Sequence, residues 1–261
     1  MTTTWDPTLT SPQLEQLTRS LGDPAKDLVI LAEGNTSQRL DDDRIVVKAS
    51  GANLATCTAA DFVVVSVSEL MELVLSDTST QADLTAALDA GVHEGRQRRG
   101  SIEALIHAAV QSVAPAAFVA HTHPTDVIAI VASVHAETEF DRAVYSDEAV
   151  VVGRPLFVPY AQPGLDLGRL FHRRLVERFE EDGMLPSLIL LGNHGIVTIA
   201  ETPEGAEAIS LMAVKSARVR LRAHAAGGTV PLTHEAVAKY VARSDISERR
   251  QHISGTVGAG A

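Results

Sequence analysis

Residues 117–127 read AFVAHTHPTDV. Ala117 to Ala120 is a short apolar run of the kind that makes a buried strand, and it stops at His121-Thr122-His123 followed by Pro124. Side chains two apart on a strand share a face, so His121 and His123 project together. Two imidazoles on one side of a strand end supply half of a first-row metal site, because neutral imidazole is the commonest nitrogen ligand and zinc takes about four donors. The same short motif also reads as an ordinary hydrogen-bonded or surface pair. The rest of the chain has to choose between them.

At 261 residues and 45% hydrophobic content the chain can bury a full core. No stretch has the composition of a linker and no internal repeat is present, so one α/β domain over 1–261 is the simpler reading, with a C-terminal helical extension at about 230–261. A net charge of −11 argues against a nucleic-acid partner, since phosphate binding needs clustered Lys and Arg. The short basic run at Arg96 to Arg99 reads as a solvated helix end. With one cysteine, Cys57, no internal disulfide can form, which suits a reducing compartment. Residues 1–20 lack a basic start and an apolar segment of signal length, and no later run reaches about 18 apolar residues. The expectation is a cytoplasmic protein with no membrane partner.

In chain order, Ser11-Pro12 opens a helix to about Leu21. Residues 28–33 (LVILAE) read as an apolar strand that breaks at Gly34-Asn35-Thr36-Ser37, a turn offering donors to an anion, or simply a tight turn. Asp41 to Asp43 reads as a hairpin tip and Arg44 to Val47 as the return strand, ending in a second small-residue loop, Lys48-Ala49-Ser50-Gly51. Asp61 to Val67 is a buried-type strand, and roughly 81–99 contains a helical stretch. Ser101 caps an apolar helix to about Val113, and Glu103 would then sit in its first turn, favoured by the helix dipole. Glu103 and His107 lie four apart on one helical face; Glu103 is kept as a candidate acid and His107 is assigned to packing. Pro124 starts another helix, Tyr145 sits among polar neighbours, and 149–152 and 155–160 read as strand pieces. After a charged helix at 166–181, the apolar strand 187–191 breaks at Gly192-Asn193-His194-Gly195. A histidine between glycines has little packing value, which makes His194 a third candidate ligand. Thr202-Pro203-Glu204 caps a long helix to about Ala225, and shorter helical stretches follow near 234–242 and 245–252.

Assembled in order, EGNTS at 33–37, KASG at 48–51, SIE at 101–103, HTH at 121–123 and NHG at 193–195 resemble the class II aldolase/adducin family, which includes L-fuculose-phosphate and rhamnulose-phosphate aldolases and ribulose-phosphate epimerase. The resemblance runs from about residue 12 to about 225. It implies a three-layer α/β/α sandwich around a central, mainly antiparallel sheet, assembled as a homotetramer with sites at subunit interfaces. It also implies a zinc ion, with manganese or cobalt as alternatives, on His121, His123 and His194. Glu103 would be the catalytic acid/base and a further ligand when substrate is absent. Asn35, Ser50, Gly51 and Ser101 would hold a substrate phosphate, and Tyr145 falls where the fuculose-phosphate enzymes place a tyrosine that reaches a neighbouring subunit's site.

The implied chemistry suits these residue types. Breaking a carbon–carbon bond beside a ketone produces an enediolate, whose charge a chelated metal stabilises as a Lewis acid. Three neutral histidines leave zinc its full charge and an open position, and Glu103 can move a proton on the adjacent carbon. Ile102 replaces the second serine that the best-known members carry, and Lys48 stands near the anion loop, so the anion held there is a phosphate or a carboxylate. The reading is therefore a zinc-dependent lyase of the aldolase type acting on a small hydroxylated keto substrate, such as a sugar phosphate. The alternatives are a decarboxylase, dehydratase or epimerase on the same metal, and an adducin-like interaction module without catalysis.

Overall fold

The computed structural model describes residues 3–246. Its strands are β1 (Asn35–Arg39), β2 (Arg44–Lys48), β3 (Phe62–Ser66), β4 (Asp89–His93), β5 (Arg96–Arg99), β6 (Phe118–Thr122), β7 (Leu156–Val158), β8 (Leu188–Leu191) and β9 (Gly195–Ala200). Its α-helices are α1 (Pro12–Leu21), α2 (Val67–Leu75), α3 (Gln81–Ala87), α4 (Ala104–Val113), α5 (Thr125–Val131), α6 (Ser146–Val151), α7 (Leu165–Asp182), α8 (Pro203–Ala225) and α9 (His234–Val241). Seven strands make one sheet in the order β3-β2-β1-β6-β9-β8-β7, and every neighbouring pair is antiparallel except β7 with β8. Strand β6, which ends within the HTH motif, lies at its centre.

Apart from the polar β1, the strands of this sheet are mostly apolar on both faces because helices cover both. Ile45, Val47, Val63, Val65, Val119, Ile189 and Val197 point into one core with α2, α4 and α7. Their alternate neighbours Val46, Val64, Phe118, Ala120, Leu188 and Ile196 point into a second core with α1, α5 and α8. Period-two alternation therefore divides each strand between two cores, which gives the sandwich its three layers. Among the described residues no helix is long and apolar enough to cross a membrane.

Three stretches fold differently from the reading of their sequence. Residues 28–33 are irregular rather than a strand, with Leu31 at φ 53° and Ile30 and Leu31 exposed by 65% and 79%. The extended run begins only at Asn35, which is thus a strand residue and not part of a turn. The loop is instead tied to the end of β6, where the His123 backbone N–H donates to the Leu28 carbonyl at 2.8 Å. In 81–99 the helix ends at Ala87, and residues 89–99, including the basic run expected at a helix end, form the β4–β5 hairpin. Glu94 and Gly95 both have positive φ, the primed geometry that suits a two-residue hairpin turn. Residues 149–152 end helix α6 rather than forming a strand, since a short apolar run serves either element and here two acidic residues occupy its first turn. Helix α4 starts at Ala104, so Glu103 is its N-terminal flanking residue. The stretch near 245–252 lies largely outside the described residues.

Candidate metal centre

Four side chains converge at the end of β6. The pairing of β6 with β1 and β9 sets His121 beside Asn35 on one side and Val197 on the other. His121 is fully buried, and its Nδ1 lies 2.8 Å from the Ile196 carbonyl oxygen. A carbonyl only accepts, so Nδ1 carries a proton and donates, and Nε2 is the ring atom that faces the cluster. His123 Nε2 lies 2.9 Å from that atom. His194 arrives on the tight β8–β9 connection, where Asn193 adopts φ 53°. Gly195 lets that connection close onto β6, because a Cβ there would lie 2.4 Å from the Thr122 carbonyl oxygen and 2.8 Å from His123 Cδ2. The three imidazole centroids form a near-equilateral triangle with sides of 4.7, 4.9 and 5.0 Å.

Glu103 closes the group from the start of α4. Its Oε1 is 2.9 Å from His194 Nε2 and its Oε2 is 3.3 Å from His121 Nε2. One ligand atom from each of Glu103, His121, His123 and His194 lies within 4.8 Å of all the others. Burial alone would raise the Glu103 pKa, but the charges and hydrogen bonds of His121 and His194 outweigh it and hold the carboxyl well below the usual range. Burial likewise opposes charge on His121, and the Glu103 carboxylate overcomes it and moves that imidazole upward. His123 is pushed down to about 3, by burial first and then by the charge of His121 and His194. Three ring nitrogens facing one another beside a carboxylate repel unless something positive lies among them. The donor set, three imidazole nitrogens and a carboxylate oxygen, is that of a borderline divalent cation such as zinc. The residues therefore fit a metal.

The other sequence candidates divide by position. Asn35 Nδ2 donates to Glu103 Oε2 at 2.9 Å and to Ser101 Oγ at 3.4 Å, so both residues stand at the cluster. Lys48 is buried, with Nζ donating to the Ala52 carbonyl at 2.6 Å and the Ala32 carbonyl at 3.4 Å; burial lowers its pKa. The ammonium thus bridges the two loops flanking β1 and β2. Ser50 and Gly51 line a cavity of about 430 Å³ with Asp61, Arg96 and Arg98. Tyr145 Oη packs on α8, donating to Met212 Sδ at 2.9 Å and lying 3.3 Å from Ser216 Oγ. No hydrogen bond among the described residues joins Tyr145 to the histidines.

The structure adds two residues that sequence reading does not place at the site. Glu33 Oε1 approaches His123 Nδ1 at 3.7 Å. His107, assigned to packing, is fully buried and hydrogen-bonded on both ring nitrogens, to Ser37 and to Asn35. Its signal in the sequence is a lone imidazole in the apolar run of α4, four residues after Glu103.

Comparison with known proteins places this geometry. A stretch of 158 residues matches the uncharacterized oxidoreductase YuxG of Bacillus subtilis at 28% identity; it makes up 60% of this chain and only 21% of that protein's length. The fold is that of YgbL from Klebsiella pneumoniae, a putative aldolase/epimerase/decarboxylase, with a TM-score of 0.64, 20% identity, and coverage of 87% of this chain and 97% of that one. It is also that of L-fuculose-1-phosphate aldolase from Thermus thermophilus, with a TM-score of 0.57, 18% identity, and coverage of 81% and 95%. The model for the class II aldolase and adducin N-terminal domain matches residues 13–221, and the chain belongs to the class II aldolase and adducin family.

Proposed function

We propose that the protein is a zinc-dependent lyase that cleaves or forms a carbon–carbon bond in a hydroxylated keto substrate, a sugar phosphate being the leading candidate. The observation that carries this is the convergence of His121, His123, His194 and Glu103 within 4.8 Å. A divalent cation bound there would supply Lewis-acid polarisation of the substrate's oxygens. The chain's own residues do the rest. The ionised Glu103 carboxylate takes the carbinol hydroxyl's proton as the carbon–carbon bond breaks; the hydroxyl-bearing fragment leaves as an aldehyde, and the electron pair of the broken bond moves toward the carbonyl. Glu103 then delivers a proton to the carbon beside that carbonyl, and it removes the same proton in the condensation direction. Asn35, which donates to the Glu103 carboxylate, and Ser101, which lies beside Asn35, are assigned to the substrate's anionic end on the family resemblance. Ser50 and Gly51 are assigned to the same anion on the resemblance, and Lys48 braces the loops on either side of β1 and β2. Tyr145 is assigned to a neighbouring subunit's site in a cytoplasmic homotetramer, on the family resemblance.

The test is product analysis. Metal-loaded protein is incubated with ketose 1-phosphates and hydroxylated keto acids, and released aldehyde is measured. Glu103→Gln should keep most of its metal and lose turnover; normal activity in that variant refutes the acid/base role. Carbon dioxide or an epimer in place of aldehyde would assign a decarboxylase or epimerase, the activities named for the Klebsiella protein. Purified protein that takes up no metal would favour the adducin-like, non-catalytic reading.

A further inference from the structure

We propose that His107 is a positioning residue: its Nε2–H donates to Asn35 Oδ1, which turns the Asn35 amide group toward Glu103 and Ser101 and so sets the carboxylate at the metal centre. This rests on the reading of Glu103 as a working group of that centre. The geometry comes from two matched periodicities. Asn35 and Ser37 are two apart on β1 and share a face, while Glu103 flanks the start of α4 and His107, four residues on, lies in its first turn. Where strand and helix meet, Asn35 reaches Glu103 at 2.9 Å, and the His107 ring sits between Ser37 and Asn35. The cluster is buried, with Asn35, Ser37 and His107 all at 1% exposure or less.

The protons in this chain are fixed by elimination. An ionised Glu103 only accepts, so the Asn35 group 2.9 Å from it must be the NH2. The opposite end of the amide, Oδ1, then faces His107 and can only accept, so His107 Nε2 must bear the ring proton. Nδ1 is left with a lone pair, and Ser37 Oγ–H donates to it at 2.7 Å. Were the ring in its other tautomer, Asn35 would have to turn its NH2 to His107 and bring Oδ1 against the Glu103 carboxylate, oxygen on oxygen. A residue serving only to fill space would be better as Leu or Phe, because burying two ring nitrogens costs free energy unless both are satisfied. Burial and the charge of His121 hold His107 down at about 3, so the ring is neutral across the physiological range.

Two measurements decide the matter, and neither depends on turnover. Long-range proton–nitrogen correlation spectra of the metal-free protein should show His107 protonated at Nε2 and bare at Nδ1; a ring protonated at Nδ1 overturns the proposal. Cobalt affinity reports the placement of Glu103. His107→Leu and Asn35→Ala should each weaken it by about 10–100-fold, the range for residues that orient metal ligands. The double variant should be no weaker than Asn35→Ala alone, and His107→Gln, which can still donate to Asn35, should remain within a few-fold of wild type. Additive losses, or a Gln variant as weak as Leu, would show that His107 acts as packing. If the Leu variant does not fold, the spectrum of the unaltered protein and the Gln variant still decide. If no aldol cleavage is found while the cobalt cycle holds, the proposed reaction fails and the positioning role stands.

Discussion

The Nδ1–H of His121 donates to the carbonyl of Ile196, 2.8 Å away on the neighbouring strand. The bond spans the centre of the sheet, so the orientation of a candidate ligand is fixed by the strand pairing rather than by a loop. Histidines bound to metals characteristically donate their second N–H in this way. The site should therefore be largely preformed, and metal should stabilise the folded state directly. At free zinc about 100 times Kd the gain is about 2.7 kcal/mol, which at about 2–4 °C per kcal/mol raises Tm by roughly 5–10 °C. His123→Ala, which removes a donor 2.9 Å from His121 Nε2, should abolish both the bound zinc and this shift. Thermal unfolding with zinc and with chelator checks it; identical curves would exclude the metal centre.

How much of this is legible from sequence depends on whether the signal is local. The HTH pair at the end of an apolar run, the glycine-flanked His194 and the Thr202-Pro203 helix start are local patterns, and the structure places all three where they read. The α/β/α layering followed from family resemblance, and the alternation of Val46 with Ile45 and Val47 between two cores accounts for it. Ile30 and Leu31 mislead because apolar composition does not reveal whether a run finds a strand partner, and Gly34 beneath the His121 carbonyl bends the chain before one can form. His107 misleads because its partners, Ser37 and Asn35, are 70 and 72 residues away. A buried polar contact of that separation leaves no periodic trace in the chain.

Arg220 is fully buried on α8, and its stability role can be isolated. Nη1 pairs with Glu148 Oε1 at 2.6 Å, Nε donates to the Glu139 carbonyl and Nη2 to the Arg142 carbonyl, both at 3.0 Å, and the guanidinium lies 4.3 Å from the Phe140 ring centre. One side chain thus holds the 139–148 segment, with Tyr145 in it, against α8. Arg220→Met leaves a buried carboxylate and two carbonyls without their donor, and should cost about 3–5 kcal/mol. Arg220→Lys should recover little, because an ammonium lacks the planar fork that serves three acceptors. Urea denaturation gives the values, and a loss for Met below about 1 kcal/mol would show that apolar contacts alone retain the segment.

His107 also fixes a pH dependence whose sign can be worked out. Its imidazole titrates near 6.5 in an unfolded chain and is pushed down to about 3 in the folded one, by burial first and then by the charge of His121. Between these values the unfolded state binds more protons, so stability rises with pH through that window. The contribution is complete above about 6.5 and is lost as pH falls toward 3. His107→Gln has no group to titrate there, so the stability of wild type relative to this variant isolates the effect. Measured by urea unfolding with chelator present, that difference should be flat above about pH 7 and should fall, with a slope of up to about 1.4 kcal/mol per pH unit, between about pH 6 and 4. A flat difference across the whole range would mean that the ring is charged or hydrated in the folded protein, and the hydrogen-bonded chain from Ser37 to Glu103 would then lose its fixed direction.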